Sequence, residues 1–184
     1  MGRDKALLPW QGGTFLSAAI QALQRETEFV IVVAGKNAPN LEPVVYSNAA
    51  FLVANPHPEL GQMSSLQRGL GEVLSRGRDA ALVTLVDRPA PQDETIRQLK
   101  SAFLSAGDNV WAAVPEYGGK HGHPFVAGRE MIDAFLRAPA ASTARDVEHA
   151  HQQHILYVAV DDPLIAVNVN TEEDYEKLRL GLTV

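Results

Sequence analysis

The chain has 184 residues, 46% of them hydrophobic, which is enough for one domain, spanning 1–184, with a sizeable buried core. Its formal net charge is -6 and no Lys/Arg-rich run occurs, which argues against nucleic-acid and anionic-membrane partners, since both need a basic face. It contains no cysteine, so disulfides and thiolate metal sites are excluded. No apolar run approaches the ~20 residues of a membrane span and no signal peptide is recognisable, so a cytoplasmic location is expected.

In chain order, residues 14–25 place Phe15, Leu16, Ala19, Ile20 and Leu23 on one helix face. Residues 29–34 (FVIVVA) are short, β-branched and apolar on both sides, the pattern of a buried parallel strand. A second strand is expected at 50–54 and a helix at 64–74, with Leu66, Leu70, Val73 and Leu74 inward. Residues 80–86 (AALVTLV) repeat the buried-strand pattern, and 93–104 repeat the helical one through Ile96, Leu99, Phe103 and Leu104. Further strands are expected at 110–114, 155–160 and 165–169. A last helix starts at Thr171, whose hydroxyl caps it, with Glu172, Glu173 and Asp174 against the positive dipole end. Strand and helix in alternation specify an α/β fold with helices on both sheet faces. Ligands then collect beyond the carboxyl ends of the strands.

Several residues at such ends can carry chemistry. Asp87, in Asp87-Arg88-Pro89, has two readings: an oxygen ligand for Mg²⁺, or a side chain capping the following turn. Asn170 and Asn168 offer neutral oxygen ligands on one side of the strand expected there, while Thr171 and Asp174 form a capping box. Asn55-Pro56 leads to Gly61, where backbone can approach a ligand closely, and to Ser64 and Ser65 at a helix start, which also suit a plain N-cap. Gly118–Gly119 to Gly122-His123-Pro124 is a loop that suits either an ordinary turn or ligand contact. His121 with His123 is half a zinc site at most, and His149, His151 and His154 suit a solvated helix end. Lys5, with Arg3 near it, is either an exposed terminal charge or a phosphate ligand.

The opening MGRDKALLPWQGGTFL resembles the second half of the signature of the MobA-like nucleotidyltransferases, with Met1, Gly2 and Lys5 at the matching positions. LVTLVDRPAP resembles that family's metal-holding turn, Asn55 to Gly69-Leu70 its base-recognition segment, and GHPFV the acceptor loop of its molybdenum cofactor cytidylyltransferase branch. IAVNVNTEEDY resembles its last strand-to-helix junction. These motifs occur in family order along essentially the whole chain.

The resemblance implies a Rossmann-like three-layer α/β/α fold of the nucleotide-diphospho-sugar transferase type, with a mostly parallel sheet. It implies transfer of a nucleoside monophosphate from an NTP, CTP over GTP, to a phosphate-bearing acceptor such as molybdopterin, with release of pyrophosphate. It assigns Mg²⁺ to Asp87, Asn170 and Asn168, the nucleotide to Gly2, Lys5, Asn55, Gly61 and Ser65, and the acceptor to Gly122, His123 and Pro124. Lys5 and Asp87 are the catalytic pair. It also implies a central strand, a Gly-rich phosphate loop and an arginine ahead of Met1. The expectation is that this domain is N-terminally incomplete, a truncated form of a longer product, and that central strands here lack ladder partners.

Two rivals remain at this stage. A degenerate, non-catalytic member would bind a nucleotide or a partner protein without turnover. A dinucleotide-dependent dehydrogenase shares the sheet type, but no G-x-G-x-x-G follows a strand.

Overall fold

A computed structural model describes residues 4–139 and 141–181. The chain first forms a 3₁₀ turn, Lys5–Leu7, and a small antiparallel hairpin, β1 (Pro9–Trp10) and β2 (Gly13–Thr14). Thr14 then caps helix α1 (Phe15–Gln24) in a box with Ser17. Strand β3 (Ile31–Ala34), helix α2 (Ala38–Ser47) and strand β4 (Phe51–Ala54) follow, with β3 and β4 paired in parallel.

Next come α3 (Gln62–Ser75), β5 (Ala80–Val83) and α4 (Asp93–Leu104). Strand β6 (Ala112–Tyr117) turns back through short β7 (Lys120–His121), and β8 (Phe125–Gly128) leads into α5 (Arg129–Arg137). After α6 (Ala144–Ala150) and β9 (Ile155–Ala159), a 3₁₀ turn at Pro163–Ala166 leads to α7 (Glu172–Arg179).

The strand order β5-β8-β6 carries β7 and β9 on β6. β8 is antiparallel to both β5 and β6, and β9 is parallel to β6. So β5, β6 and β9 run the same way with β8 reversed among them. The period-2 alternation shows two faces. Ala112, Val114, Phe125 and Ala127 pack with Met63, Leu70, Met131 and Phe135 of α3 and α5. Ala113 and Val126 pack with Leu99 and Phe103 of α4 on the opposite face. Ala34 and Val32 of β3 meet α1, α2 and Ile96 of α4. The fold is therefore α/β in three layers, as the sequence implies.

The sheet is split. β3 pairs with β4 and β5 pairs with β8, and among the described residues no ladder joins β3 to β5. Val32 and Leu82 share one apolar cluster, and Val33 reaches within 2.9 Å of a Cβ position at Gly69 of α3. Helix packing, rather than hydrogen bonding, couples these two ribbons.

Two expected strands change. The strand expected at 80–86 ends at Val83, so Asp87 lies in a following turn and does not itself end a strand. No strand forms at 165–169: Pro163 opens a 3₁₀ turn over Pro163–Ala166, and the next residues are irregular. Pro fixes φ and lacks an N–H, which suits the first position of such a turn. The strand argument that sets Asn168 and Asn170 on one side therefore lapses.

Candidate active site

The chain start, the Asp87 turn and the segment before α7 meet at one end of the strands. Asp4 accepts from the Ala6 N–H at 3.1 Å, capping the first turn, and from Asn37 Nδ2 at 2.7 Å, just beyond β3. This fixes Lys5, whose Nζ donates to Asn170 Oδ1 at 3.5 Å. The Val169 N–H donates to the Asp87 carbonyl at 3.0 Å. Lys5 is thereby joined to the Asn170 carboxamide, and the backbone of the Asp87 turn to Val169 just before it, so three distant stretches of chain meet.

Asn170 is held from behind. Its N–H and that of Thr171 donate to Asp174 Oδ2 at 3.0 and 2.8 Å, completing the expected capping box of α7. Hydrogen bonds from Thr171 hold the Asp174 carboxyl below the usual carboxylate range. Helix α7 itself docks by Tyr175, which packs with Phe15 and donates its hydroxyl to Pro9 O at 2.9 Å. Asn168 is exposed. Gly2 and Arg3 lie outside the described residues.

Among the described residues no side-chain partner accepts or donates at the Asp87 carboxylate, and the N-cap of α4, Gln92, makes no side-chain cap. The turn-capping reading of Asp87 thus has no hydrogen bond to support it. The donor set suits a hard cation: one carboxylate and one carboxamide oxygen, with the remaining positions left to phosphate and water, as Mg²⁺ prefers. No cluster of three or more His, Asp or Glu able to hold a metal occurs among the described residues.

At the carboxyl end of β4, Asn55 is buried and its amide is fully engaged. Nδ2 donates to Ser64 Oγ at 2.8 Å and Ser65 Oγ at 3.0 Å, while Oδ1 accepts from the His57 N–H at 2.9 Å. Ser64 in turn donates to Gly61 O, so these hydroxyls brace the start of α3 rather than cap its N–H groups. Gly61 has φ 89°, a conformation that side-chain-bearing residues avoid, and nothing within 4 Å would oppose a ligand at its Cβ position.

The third loop closes on the segment before α7. A Cβ on Gly122 would stand 2.0 Å from the Ile165 carbonyl oxygen, so only glycine fits there. That oxygen accepts from the His123 N–H at 3.0 Å and from Arg88 Nη1 at 3.0 Å. The His123–Pro124 peptide is cis. His123 Nδ1 lies 3.4 Å from Val83 O, and loss of hydration, reinforced by nearby Arg88, lowers its pKa to about 4. His123 is therefore neutral at pH 7. The other histidines are elsewhere: His121 stacks on Tyr157 and meets Glu116, while His151 and His154 fall beyond α6 and flank Trp111. They do not share a helix face.

Two residues with no signal beyond ordinary turn chemistry complete the site. Arg88 links the Asp87 turn to Ile165. Asp162, wholly buried, accepts from Gln92 N and Thr95 Oγ1, both at 2.8 Å, and from Leu164 N at 3.0 Å. It clamps the segment leading to Asn170 onto the start of α4.

A family model described as the MobA-like NTP transferase domain matches residues 1–155. The chain belongs to the MobA-like NTP transferase family. This MobA-like domain is accordingly a nucleotidyltransferase-type enzyme. It is 29% identical over 180 residues to a molybdenum cofactor guanylyltransferase of Xanthomonas euvesicatoria pv. vesicatoria, covering 97% of this chain and 87% of that protein. It is 22% identical over 176 residues to the molybdenum cofactor cytidylyltransferase of Escherichia coli, covering 95% and 86%. Rv0371c of Mycobacterium tuberculosis superposes with a TM-score of 0.81 at 23% identity, over 97% of this chain and 89% of that one. A second structure of Rv0371c, in complex with manganese, gives 0.77 at 22% identity, over 95% and 90%. Among the described residues no helix is long and apolar enough to cross a membrane.

Proposed function

We propose that this domain transfers a nucleoside monophosphate from an NTP to the phosphate of molybdopterin, releasing pyrophosphate in a magnesium-dependent reaction. The observation that carries this reading is the meeting of Lys5 with Asn170 (3.5 Å) and of the Asp87 backbone with Val169 (3.0 Å). A cation and a carboxamide oxygen beside the Asp87 turn support a triphosphate site there. The names of the two molybdenum cofactor transferases above support the choice of acceptor.

An oxygen of the acceptor phosphate attacks the α-phosphorus. A new P–O bond forms as the bond to the α–β bridging oxygen breaks, and pyrophosphate leaves with that electron pair. A phosphate monoester dianion needs no prior deprotonation, and no protein nucleophile is required. Asp87 holds the metal, with Asn170 as a weaker neutral ligand and Asn168 within the same segment. Bound there, Mg²⁺ supplies charge neutralisation on the phosphates. Lys5 presses positive charge on the triphosphate, to which Gly2 is also assigned by the family pattern. Gly61 and Ser65 meet the base from the start of α3, where Asn55 keeps the loop rigid. Gly122, His123 and Pro124 receive the acceptor. Catalysis of this kind is mostly positioning and fixed charge.

CTP is the favoured nucleotide, on the likeness of the Gly122-His123-Pro124 loop to the cytidylyltransferase branch. The guanylyltransferase relative supports a second reading with GTP. Thermal unfolding with Mg²⁺ and saturating CTP or GTP separates them, because a ligand stabilises in proportion to its affinity for the native state. A larger rise with CTP is expected. Equal or reversed protection removes the CTP preference.

A further inference from the structure

The guanidinium of Arg88 is the feature that the proposed roles leave unexplained. Its bonds to described residues reduce to one, from Nη1 to Ile165 O at 3.0 Å. Nε is sealed from solvent and has no partner among the described residues, and a buried donor left unmade is costly enough to require a reason. Nη2 has no described partner either, yet it is not sealed in the same way. Arg88 neighbours Asp87 in sequence, but the two side chains form no ion pair.

Elsewhere this protein shows how its arginines are satisfied. Arg25 holds Asp93 through Nε and Nη2, at 2.9 and 2.6 Å. Arg97 holds Glu94 through the same two nitrogens, at 3.2 and 3.0 Å, and Arg78 takes Glu28 likewise. In each of these three the two nitrogens converge on one carboxylate oxygen, and an oxygen of a phosphate or a carboxylate matches such a fork. In Arg88 that fork has no partner among the described residues.

The location selects between the phosphates in play. Arg88 is seated on Ile165 O, the oxygen that also binds His123 N and that excludes a side chain from position 122. It therefore stands on the Gly122-His123-Pro124 side of Asp87, whereas Lys5 stands on the Asn170 side. We propose that Arg88 is the binding residue for the phosphate of the acceptor, taking it through Nε and Nη2. This assignment rests on the nucleotidyl-transfer reading above. With the metal on Asp87, the nearest negative charge to Arg88 is engaged, and the acceptor phosphate supplies the missing partner.

The test uses Arg88→Gln and Arg88→Lys in the full chain. Inorganic phosphate is titrated as a probe, with Mg²⁺ and a non-hydrolysable CTP analogue present, and thermal protection is read. Wild type is expected to be protected, Arg88→Lys partly so, and Arg88→Gln not at all. In steady state with molybdopterin, Arg88→Gln is expected to raise the acceptor KM by about tenfold or more, the loss of one charge-assisted contact, with little change in the CTP KM. Equal phosphate protection of wild type and Arg88→Gln overturns the assignment. So does a rise in the CTP KM with the acceptor KM unmoved, which would make Arg88 a triphosphate ligand. If wild type releases no pyrophosphate at all, the nucleotidyl-transfer reading fails by itself, and the phosphate titration still decides whether Arg88 is an anion site. Arg88→Lys keeps the charge, so it carries the comparison should Arg88→Gln fold poorly.

Discussion

Removing the Asp162 carboxylate should damage both stability and the site. The side chain is fully buried and accepts three hydrogen bonds, two at Oδ2 from Gln92 N and Thr95 Oγ1 and one at Oδ1 from Leu164 N. Asp162→Ala leaves three donors unpaired, at ~1–3 kcal/mol each where water cannot replace the acceptor. Partial hydration of the loop donors reduces the sum to about 3–5 kcal/mol. For a domain of this size that is a Tm fall of roughly 6–20 °C. Asp162→Asn keeps one oxygen for the Gln92 and Thr95 donors but turns an NH₂ toward Leu164 N, so it should cost roughly 1–2 kcal/mol. Urea unfolding, with the midpoint and slope fitted together, reads both variants against wild type. A cost under ~1 kcal/mol for Asp162→Ala, or equal costs for the two variants, would refute the three-bond clamp.

The remaining expectations concern single contacts around the same segment. Gly122→Ala drives a Cβ into the Ile165 carbonyl, 2.0 Å away, and should cost about 1–3 kcal/mol while weakening acceptor binding; a wild-type Tm would contradict it. His123 has a folded pKa of about 4 against an ordinary 6.5, so the unfolded chain takes its proton first as pH falls. Its contribution to stability is full above pH 6.5 and lost as pH falls toward 4, on the order of 2 kcal/mol for a half-buried ring; His123→Gln should show a shallower acid limb in unfolding curves from pH 7 to 4. Asn170→Ala removes the proposed neutral metal ligand and the Lys5 contact, and should weaken Mg²⁺-linked nucleotide binding less than Asp87→Ala does.

The sequence carries the α/β layering well where residues are β-branched or periodic. The run at 29–34 contains β3, and 93–104 coincides with α4. It fails where tertiary contacts decide. IAVNV has the composition of a strand, yet Arg88 and His123 take the Ile165 carbonyl and Asp162 clamps the turn before it. Helix α2 escapes notice because it carries Pro39 and Pro43, the latter inside the helix. Strand β8 is only four residues long, just after Pro124, and too brief to show a period. At the site, Asp87, Lys5 and Asn170 are legible as a family pattern; in the structure Lys5 bonds Asn170, and the Asp87 carbonyl bonds Val169 next to it. Arg88 is not legible, since an arginine in a turn is usually a solvated charge. Its empty fork exists only in three dimensions.

Metal-dependent nucleotidyl transfer centred on Asp87 is the proposed activity. The most direct test is pyrophosphate release from CTP and from GTP with molybdopterin, with Mg²⁺ or with EDTA, for wild type and Asp87→Ala. Release is expected only with Mg²⁺ and acceptor both present, and is expected to be lost in Asp87→Ala with the fold retained. Full activity in Asp87→Ala, or equal release in EDTA, would contradict the proposal.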